Sequence, residues 1–134
     1  MYLLDTNVIS ELRKPRPHGA ITAWYAEQQL HALALPSVVI YELQAGAHRT
    51  RRQDPAKAEE LDSWIESLVR AISILPFGTD DARLTATFMH KRPLDLFPDA
   101  MIAATAAVHK LTVVTRNTKD FSSFPVKLLN PFLL

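Results

Sequence analysis

The feature that most constrains the fold of this chain is the alternation of short apolar segments with longer helix-forming segments. The predicted strands are residues 2–4, 31–35, 72–75 and 111–114, with a candidate fifth strand at 126–129. Such alternation is typical of a parallel sheet with helices on both faces. The sequence therefore predicts a three-layer α/β/α fold around a mostly parallel sheet of four or five strands.

Cap residues and the spacing of apolar positions predict the helices. The predicted helical segments are residues 8–13, 20–29, 38–47, 80–90 and 98–109, and a further helix begins at Pro55 and includes the apolar positions of 61–69. Ser37, Asp54 and Thr79 are the predicted N-caps, and Pro55 suits the first helical position. Residues 100–107 have almost no polar face, so we expect this segment to form the central buried helix.

Composition excludes several classes of protein. The chain has 134 residues, and we expect a single domain over 1–134. The absence of Cys excludes a disulfide framework, a zinc ribbon and a thiol nucleophile, and three isolated Gly residues exclude glycine-rich phosphate loops. With a net charge of +1, the chain lacks the strongly basic character that by itself indicates a nucleic-acid-binding domain. Neither a signal peptide nor a membrane span is predicted, so we expect a cytoplasmic protein without membrane contact.

Four acidic residues stand where such a fold would bring carboxylates together. Asp5 directly follows the first predicted strand, and Asp120 follows the fourth after a short loop. Glu42 and Asp99 lie in unusually apolar segments, and Asp99 opens the buried helix. Because open parallel sheets bind ligands beyond the carboxyl ends of their strands, these acids are candidates for one site.

The chemistry of these acids favours a divalent cation. A carboxylate in apolar surroundings costs several kcal/mol unless it is paired, and few basic residues lie nearby in sequence. Oxygen ligands suit Mg²⁺ or Mn²⁺. Each acid also has a purely structural interpretation. Asp5 can be a helix N-cap, and Asp99 can be an N-cap or a first-turn acid. Glu42 can be an exposed helix residue, and Asp120 a turn residue.

Four segments carry a resemblance to a known family. They read LLDTNV at 3–8, VIYEL at 39–43, DAMIAATA at 99–106 and VTRNTKDF at 114–121. In this order they resemble the PIN-domain family, and within it the VapC-type toxins of bacterial toxin–antitoxin pairs. The resemblance extends to residues 129–132, which look like the last strand of the family. It implies a PIN-like fold, Mg²⁺-dependent cleavage of RNA, a cognate antitoxin, and assembly as a homodimer or a toxin–antitoxin hetero-oligomer.

The resemblance also implies roles for six residues. It assigns four catalytic, metal-binding acids and two supporting polar neighbours, which are Asp5, Glu42, Asp99 and Asp120, with Thr6 and Asn117. Asp95 is an alternative third acid, but Asp99 is preferred because it adjoins the motif at 102–106. The segment after Phe121 lacks the Gly expected of the family, which leaves the shape of that loop open. Arg116 and Lys119 flank the predicted site and are candidates for phosphate contact.

A divalent cation bound by these acids would determine the type of reaction. It would lower the pKa of the attacking water and neutralise charge on the scissile phosphate, giving 5′-phosphate and 3′-hydroxyl ends.

Two other functions fit part of the pattern. One is a non-catalytic binding module with the same fold. The other is an aspartyl-nucleophile phosphohydrolase, whose second Asp would stand where this chain has Asn7.

Two further features each have two interpretations. A cluster of basic residues is either a solvated loop between helices or a set of phosphate contacts, and it consists of His48, Arg49, Arg51, Arg52 and Lys57. Trp24 and Tyr25 belong either to the core or to a groove for an antitoxin segment or a second subunit.

Overall fold

The five strands of this chain form one parallel sheet. The computed structural model describes all residues, 1–134. The strands are β1 (Tyr2–Leu4), β2 (Leu33–Pro36), β3 (Ser73–Leu75), β4 (Thr112–Val114) and β5 (Leu128–Leu129). Their order across the sheet is β3-β2-β1-β4-β5, and every neighbouring pair is parallel. The predicted mostly parallel sheet of four or five strands is confirmed.

Seven α-helices connect and cover the strands. They are α1 (Thr6–Arg13), α2 (Gly19–Glu27), α3 (Ser37–Arg51), α4 (Pro55–Ala71), α5 (Thr79–Met89), α6 (Phe97–His109) and α7 (Thr118–Phe121). The chain moves across the sheet in one direction from β1 to β3 and in the other direction from β3 to β5. Because parallel crossovers are right-handed, the two sets of helices cover opposite faces. The predicted three-layer α/β/α architecture is therefore confirmed.

The sheet is buried on both faces, because its central strands expose almost none of their side chains. Leu3, Leu35 and Val113 are each 0% exposed. Helix α6 is buried to the same degree through side chains that are mostly small, namely Ala100, Ile102, Ala103, Ala104, Thr105 and Ala106. The prediction of a central buried helix at 100–107 is confirmed. None of the helices is both long and apolar enough to span a bilayer.

Two of the three predicted helix caps are wrong. Ser37 is the first residue of α3 and Pro36 is the N-cap, because β2 runs directly into the helix without an intervening residue. Gly78 is the N-cap of α5 in place of Thr79, and its N–H donates to Asp81 Oδ2 at 2.7 Å. The Asp54 cap of α4 is confirmed, since Asp54 Oδ1 accepts from the Lys57 N–H at 3.1 Å.

Helix α3 is four residues longer than its apolar pattern predicts, ending at Arg51 rather than at 47. Contacts with α4 stabilise the second half of α3, including the added turn. Gln44 Nε2 donates to Asp62 Oδ1 at 2.9 Å, and the Arg51 guanidinium pairs with the other carboxylate oxygen of Asp62. His48, Arg49 and Arg51 therefore lie in the last turn of a helix rather than in a loop.

Other differences are local. The predicted strand at 31–35 begins only at Leu33, because Leu30–Ala32 form a 3-10 turn. Asp120, predicted in a loop, lies in the one-turn helix α7. Trp24 is buried with its ring edge-on to Tyr2 at 5.2 Å between centroids, which confirms its core interpretation.

We expect Ala104→Leu to lower the free energy of unfolding by about 1–3 kcal/mol, because a larger side chain in a fully packed position forces strain on its neighbours. Urea unfolding at 25 °C measures the change. Ala56→Leu, at an exposed position of α4, is the matched control and should change stability little. Equal losses in both variants would contradict close packing around α6.

Candidate active site

Asp5 lies at the carboxyl end of the central strand β1. Its neighbours β2 and β4 lie on opposite sides of β1, and such a switch point is where open parallel sheets bind ligands. The Asp5 N–H donates to the Val114 carbonyl at 3.0 Å, which continues the β1–β4 ladder by one residue. Asp5 Oδ1 accepts from the Thr6 N–H at 2.7 Å. The helix-cap interpretation of Asp5 is confirmed, and the same geometry holds its carboxylate at the sheet edge.

Two polar side chains that the sequence analysis did not assign to the site bind the second oxygen of Asp5. Thr115 Oγ1 donates to Asp5 Oδ2 at 2.7 Å, and Asn7 Nδ2 donates to the same oxygen at 3.1 Å. Asn7 Oδ1 accepts from the Arg116 N–H at 3.0 Å, so Asn7 connects α1 to the loop after β4. The sequence does contain a signal for Thr115, because Thr115 directly follows β4 just as Asp5 directly follows β1.

Thr6 connects Asp5 to Glu42. The Thr6 N–H donates to Asp5, while Thr6 Oγ1 donates to Glu42 Oε1 at 2.9 Å. Glu42 is half-buried in the second turn of α3, the helix that begins where β2 ends. One residue therefore orients two carboxylates through neutral donors, in line with the supporting role predicted for Thr6.

Asp99 is the third residue of α6, so its interpretation as an N-cap is wrong and its interpretation as a first-turn acid is confirmed. Burial raises its pKa, and the negative charges of neighbouring acids, led by Asp5, Asp120 and Glu42, raise it further. Together these effects raise the pKa of Asp99 to about 6 from the ordinary 3.8. Helix α6 packs against α3, which carries Glu42, and against α7, which carries Asp120, so the fold places Asp99 in the same region as the other predicted acids.

Asp95, the alternative third acid, lies in an exposed 3-10 turn, Leu94–Leu96, ahead of α6. Its charge raises the pKa of Asp99 less than the charges of the other three acids do. Asp99 is half-buried, whereas Asp95 is exposed. The geometry therefore favours Asp99 over Asp95.

The region concentrates negative charge that no Lys or Arg neutralises. Burial raises the pKa of Asp5, although three hydrogen bonds lower it. Burial also raises the pKa of Glu42, against the hydrogen bond from Thr6 and with the help of the Asp5 charge. The three ion pairs of the structure, Lys14–Glu11, Arg51–Asp62 and Arg70–Glu66, include none of the four predicted acids.

The donor chemistry of this region fits a hard divalent cation. The candidate ligands are all carboxylate oxygens, which Mg²⁺ and Mn²⁺ prefer. In this conformation no three His, Asp or Glu side chains lie close enough together to ligate one ion. Mg²⁺ is usually held by one or two carboxylates and retains several waters, so an open arrangement is compatible with its binding.

The residues that flank the acids differ in what they contact. Asn117 acts through its backbone, since its N–H donates to Thr115 Oγ1 at 3.0 Å and so orients the hydroxyl that donates to Asp5. The guanidinium carbon of Arg116 lies 4.2 Å from the centre of the Phe132 ring, a cation–π contact. Lys119 is exposed in α7 and forms no ion pair.

Comparison with known proteins gives consistent matches over the whole chain. A family model described as the PIN domain matches residues 2–127. VapC ribonuclease Y4jK of Sinorhizobium fredii is 34% identical over 143 residues, covering 98% of this chain and 98% of that protein. Toxin FitB of Neisseria gonorrhoeae is 34% identical over 139 residues, covering 98% of this chain and 99% of that protein.

Solved structures agree with the sequence matches. The crystal structure of FitAcB from Neisseria gonorrhoeae superposes with a TM-score of 0.88 at 33% identity, covering 100% of both chains. A toxin–antitoxin complex from Klebsiella pneumoniae superposes with a TM-score of 0.75 at 25% identity, covering 98% of both chains. Because the family match covers nearly the whole chain and these relatives align with it almost end to end, the chain belongs to the PIN domain family.

Proposed function

We propose that this chain is a metal-dependent endoribonuclease and the toxin of a toxin–antitoxin pair. Asp5, Glu42 and Asp99 would hold Mg²⁺ or Mn²⁺, with Asp120 as a fourth acid. Two relatives, one named a ribonuclease and one named a toxin, align with nearly all of this chain. Their alignment supports assigning both functions to it.

One observation carries the proposal. Asp99 stands in the first turn of a helix that is otherwise almost wholly apolar, and its pKa is raised first by burial and then by the charges of four other carboxylates. A protein gains no stability from such an arrangement without a cation, because like charges repel and burial disfavours the charged forms of Asp5, Glu42 and Asp99. Strongly shifted pKa values of this kind are typical of functional sites.

The chain's own residues would prepare the reaction by holding the acids in place. Asp5 is oriented through both carboxylate oxygens, and Thr6 couples it to Glu42. When bound, the cation would lower the pKa of the attacking water and neutralise charge on the scissile phosphate. The products expected are 5′-phosphate and 3′-hydroxyl ends, with no role for the RNA 2′-hydroxyl. Lys119, exposed beside Asp120, is available for a phosphate contact.

The contacts of Asn7 argue against a phosphohydrolase with an aspartyl nucleophile. That mechanism needs an acid at this position, and the Asn7 amide instead donates to Asp5 Oδ2. A non-catalytic binding module would not require an acid such as Asp99, whose pKa is raised to about 6 by burial and by the charges of neighbouring acids. The ribonuclease therefore remains the function that accounts for the charge.

We further propose that the chain binds a cognate antitoxin protein in the cytoplasm and assembles as a homodimer or a toxin–antitoxin hetero-oligomer. The superposition on a toxin–antitoxin complex over 98% of both chains supports such a partner. A ribonuclease that shares a compartment with cellular RNA also requires a means of inhibition.

We expect Asp99→Asn to lower cleavage of a total RNA pool in Mn²⁺ by at least about 100-fold, since even outer partners of metal ligands cost roughly ten- to hundredfold when removed. Asp95→Asn is the matched control, because it removes the same charge four residues away and should leave cleavage near wild type. Mapping the 5′ ends of the products with and without EDTA measures both the amount of cleavage and its dependence on a metal ion. Loss of cleavage in Asp95→Asn alone would identify Asp95 as the third acid.

The raised pKa of Asp99 predicts a pH dependence of stability without metal. Between pH 3.8 and about 6 the folded state holds a proton on Asp99 that the unfolded chain has already lost. The contribution of this group to the free energy of unfolding therefore falls as pH rises through that range. In EDTA, the Tm of Asp99→Asn minus that of wild type should increase from pH 4 to pH 7. A difference that stays constant with pH would show that Asp99 has an ordinary pKa.

Metal binding should stabilise the folded protein, because an ion that binds only the folded state adds about 2.7 kcal/mol at a hundred times its Kd. We expect millimolar Mn²⁺ to raise the Tm of wild type and of Asp95→Asn, and to raise that of Asp99→Asn much less. Thermal melting with and without Mn²⁺ measures this. An unchanged wild-type Tm would count against a metal site.

A further inference from the structure

A groove leads away from the acids between helices α1, α3 and α4. It has a volume of about 260 Å³, and Glu42 and Thr6 line it at the end next to the acids. Glu42 is the only acidic residue among those that line it, and Arg13 and Arg49 supply two positive charges. We call this feature the α1–α3–α4 groove.

Helical spacing places both arginines on the walls of this groove. Thr6, Ser10 and Arg13 follow one another at i, i+4 and i+7 along α1, so their side chains share one face. Glu42 and Arg49 have the same i, i+7 relation along α3, which separates their backbones by about 10 Å. Each wall therefore runs from a residue of the acidic site to an arginine two turns away.

Arg13 is held in the groove by stacking. Its guanidinium carbon lies 5.7 Å from the centre of the Trp64 ring, within the range of a cation–π contact. No carboxylate pairs with it, since the three ion pairs of the structure lie elsewhere. Arg13 thus keeps its full charge and all of its hydrogen-bond donors for a ligand.

Arg49 folds back towards the acids. Its Nη2 atom lies 3.6 Å from the position that a Cβ would take at Gly46, one turn nearer to Glu42. Arg49 also lacks a carboxylate partner, whereas Arg51, two residues later, pairs with Asp62. Within the basic cluster of the sequence, Arg51 is therefore paired, whereas Arg49 lies in the groove without a carboxylate partner.

We propose that the α1–α3–α4 groove binds the phosphodiester backbone of the RNA next to the scissile phosphate, and that Arg13 and Arg49 bind its phosphate groups. The proposal rests on the proposed function only in taking RNA as the substrate. A guanidinium without a carboxylate partner binds phosphate through paired, charge-assisted hydrogen bonds. The backbones of both arginines lie two helical turns from Thr6 and Glu42, and neither arginine forms an ion pair with an acid of the site, so they can hold the strand beside the acids.

The test is binding of a short fluorescein-labelled single-stranded RNA in EDTA, which prevents cleavage, measured by anisotropy at several KCl concentrations. Each phosphate contact in single-stranded nucleic acid contributes about 0.7 to the slope of log affinity against log salt. Arg13→Gln/Arg49→Gln should therefore flatten the slope by about 1.4 and lower affinity at low salt by roughly tenfold. Arg13→Lys/Arg49→Lys keeps both charges and should restore most of the slope.

The matched control is Arg83→Gln/Lys127→Gln, which removes two exposed charges outside the groove. It should leave the slope and the cleavage activity unchanged. Equal flattening in both double variants would mean that only overall charge matters, and it would overturn the proposal. Thermal melting of each variant checks that it is folded.

The outcomes separate this inference from the proposed function. If wild type cleaves RNA in Mn²⁺ but the groove variant keeps the wild-type slope, only the inference is wrong. If the slope depends on Arg13 and Arg49 but no metal supports cleavage, the groove still binds RNA and the proposed function is wrong. A polyglutamate peptide tests the other anionic ligand. Loss of peptide binding with unchanged RNA binding would assign the groove to an acidic protein segment and overturn the inference.

Discussion

The parallel pairing of β1 with β2 on one side and β4 on the other is the constraint on which the whole site depends. It aligns the carboxyl ends of all three strands, with Leu4 opposite Val114. Asp5 and Thr115 are the next residues in that register, and their side chains meet at 2.7 Å. A slip of one residue would turn one of these two side chains to the other face of the sheet. The precision of the site is therefore a consequence of strand register.

The acids are oriented by neutral hydrogen-bond donors rather than by cations of the chain. Thr6, Thr115 and Asn7 fix the carboxylates of Asp5 and Glu42 but leave their charge in place. A Lys or Arg in the same positions would give a more stable protein and would fill the place of an external cation. The raised pKa values of Asp5, Glu42 and Asp99 mean that their ionised forms lower the stability of the folded state. Functional sites commonly carry such a loss of stability.

Helix α3 separates charge along its length. Glu42 lies near its start, and His48, Arg49 and Arg51 occupy its last turn. Basic side chains are favoured at a helix C-terminus by the helix dipole, so an arginine without a carboxylate partner is tolerated there. The packing of α4 pairs Arg51 with Asp62 and leaves Arg49 facing the α1–α3–α4 groove. Negative and positive charge thus lie on one continuous surface, two helical turns apart.

The sequence by itself determined the fold class, the burial of α6 and the Asp54 cap, because each is encoded in residues a few positions apart. Its assignment of catalytic and metal-binding roles to four acids stays a prediction. Only the tertiary structure decided the strand order, the roles of Asn7 and Thr115, and which basic residues remain unpaired. The hydrogen bonds involved span 36 positions between Thr6 and Glu42 and 110 between Asp5 and Thr115. Local periodicity carries no information over such distances, because these contacts exist only once the strands have paired.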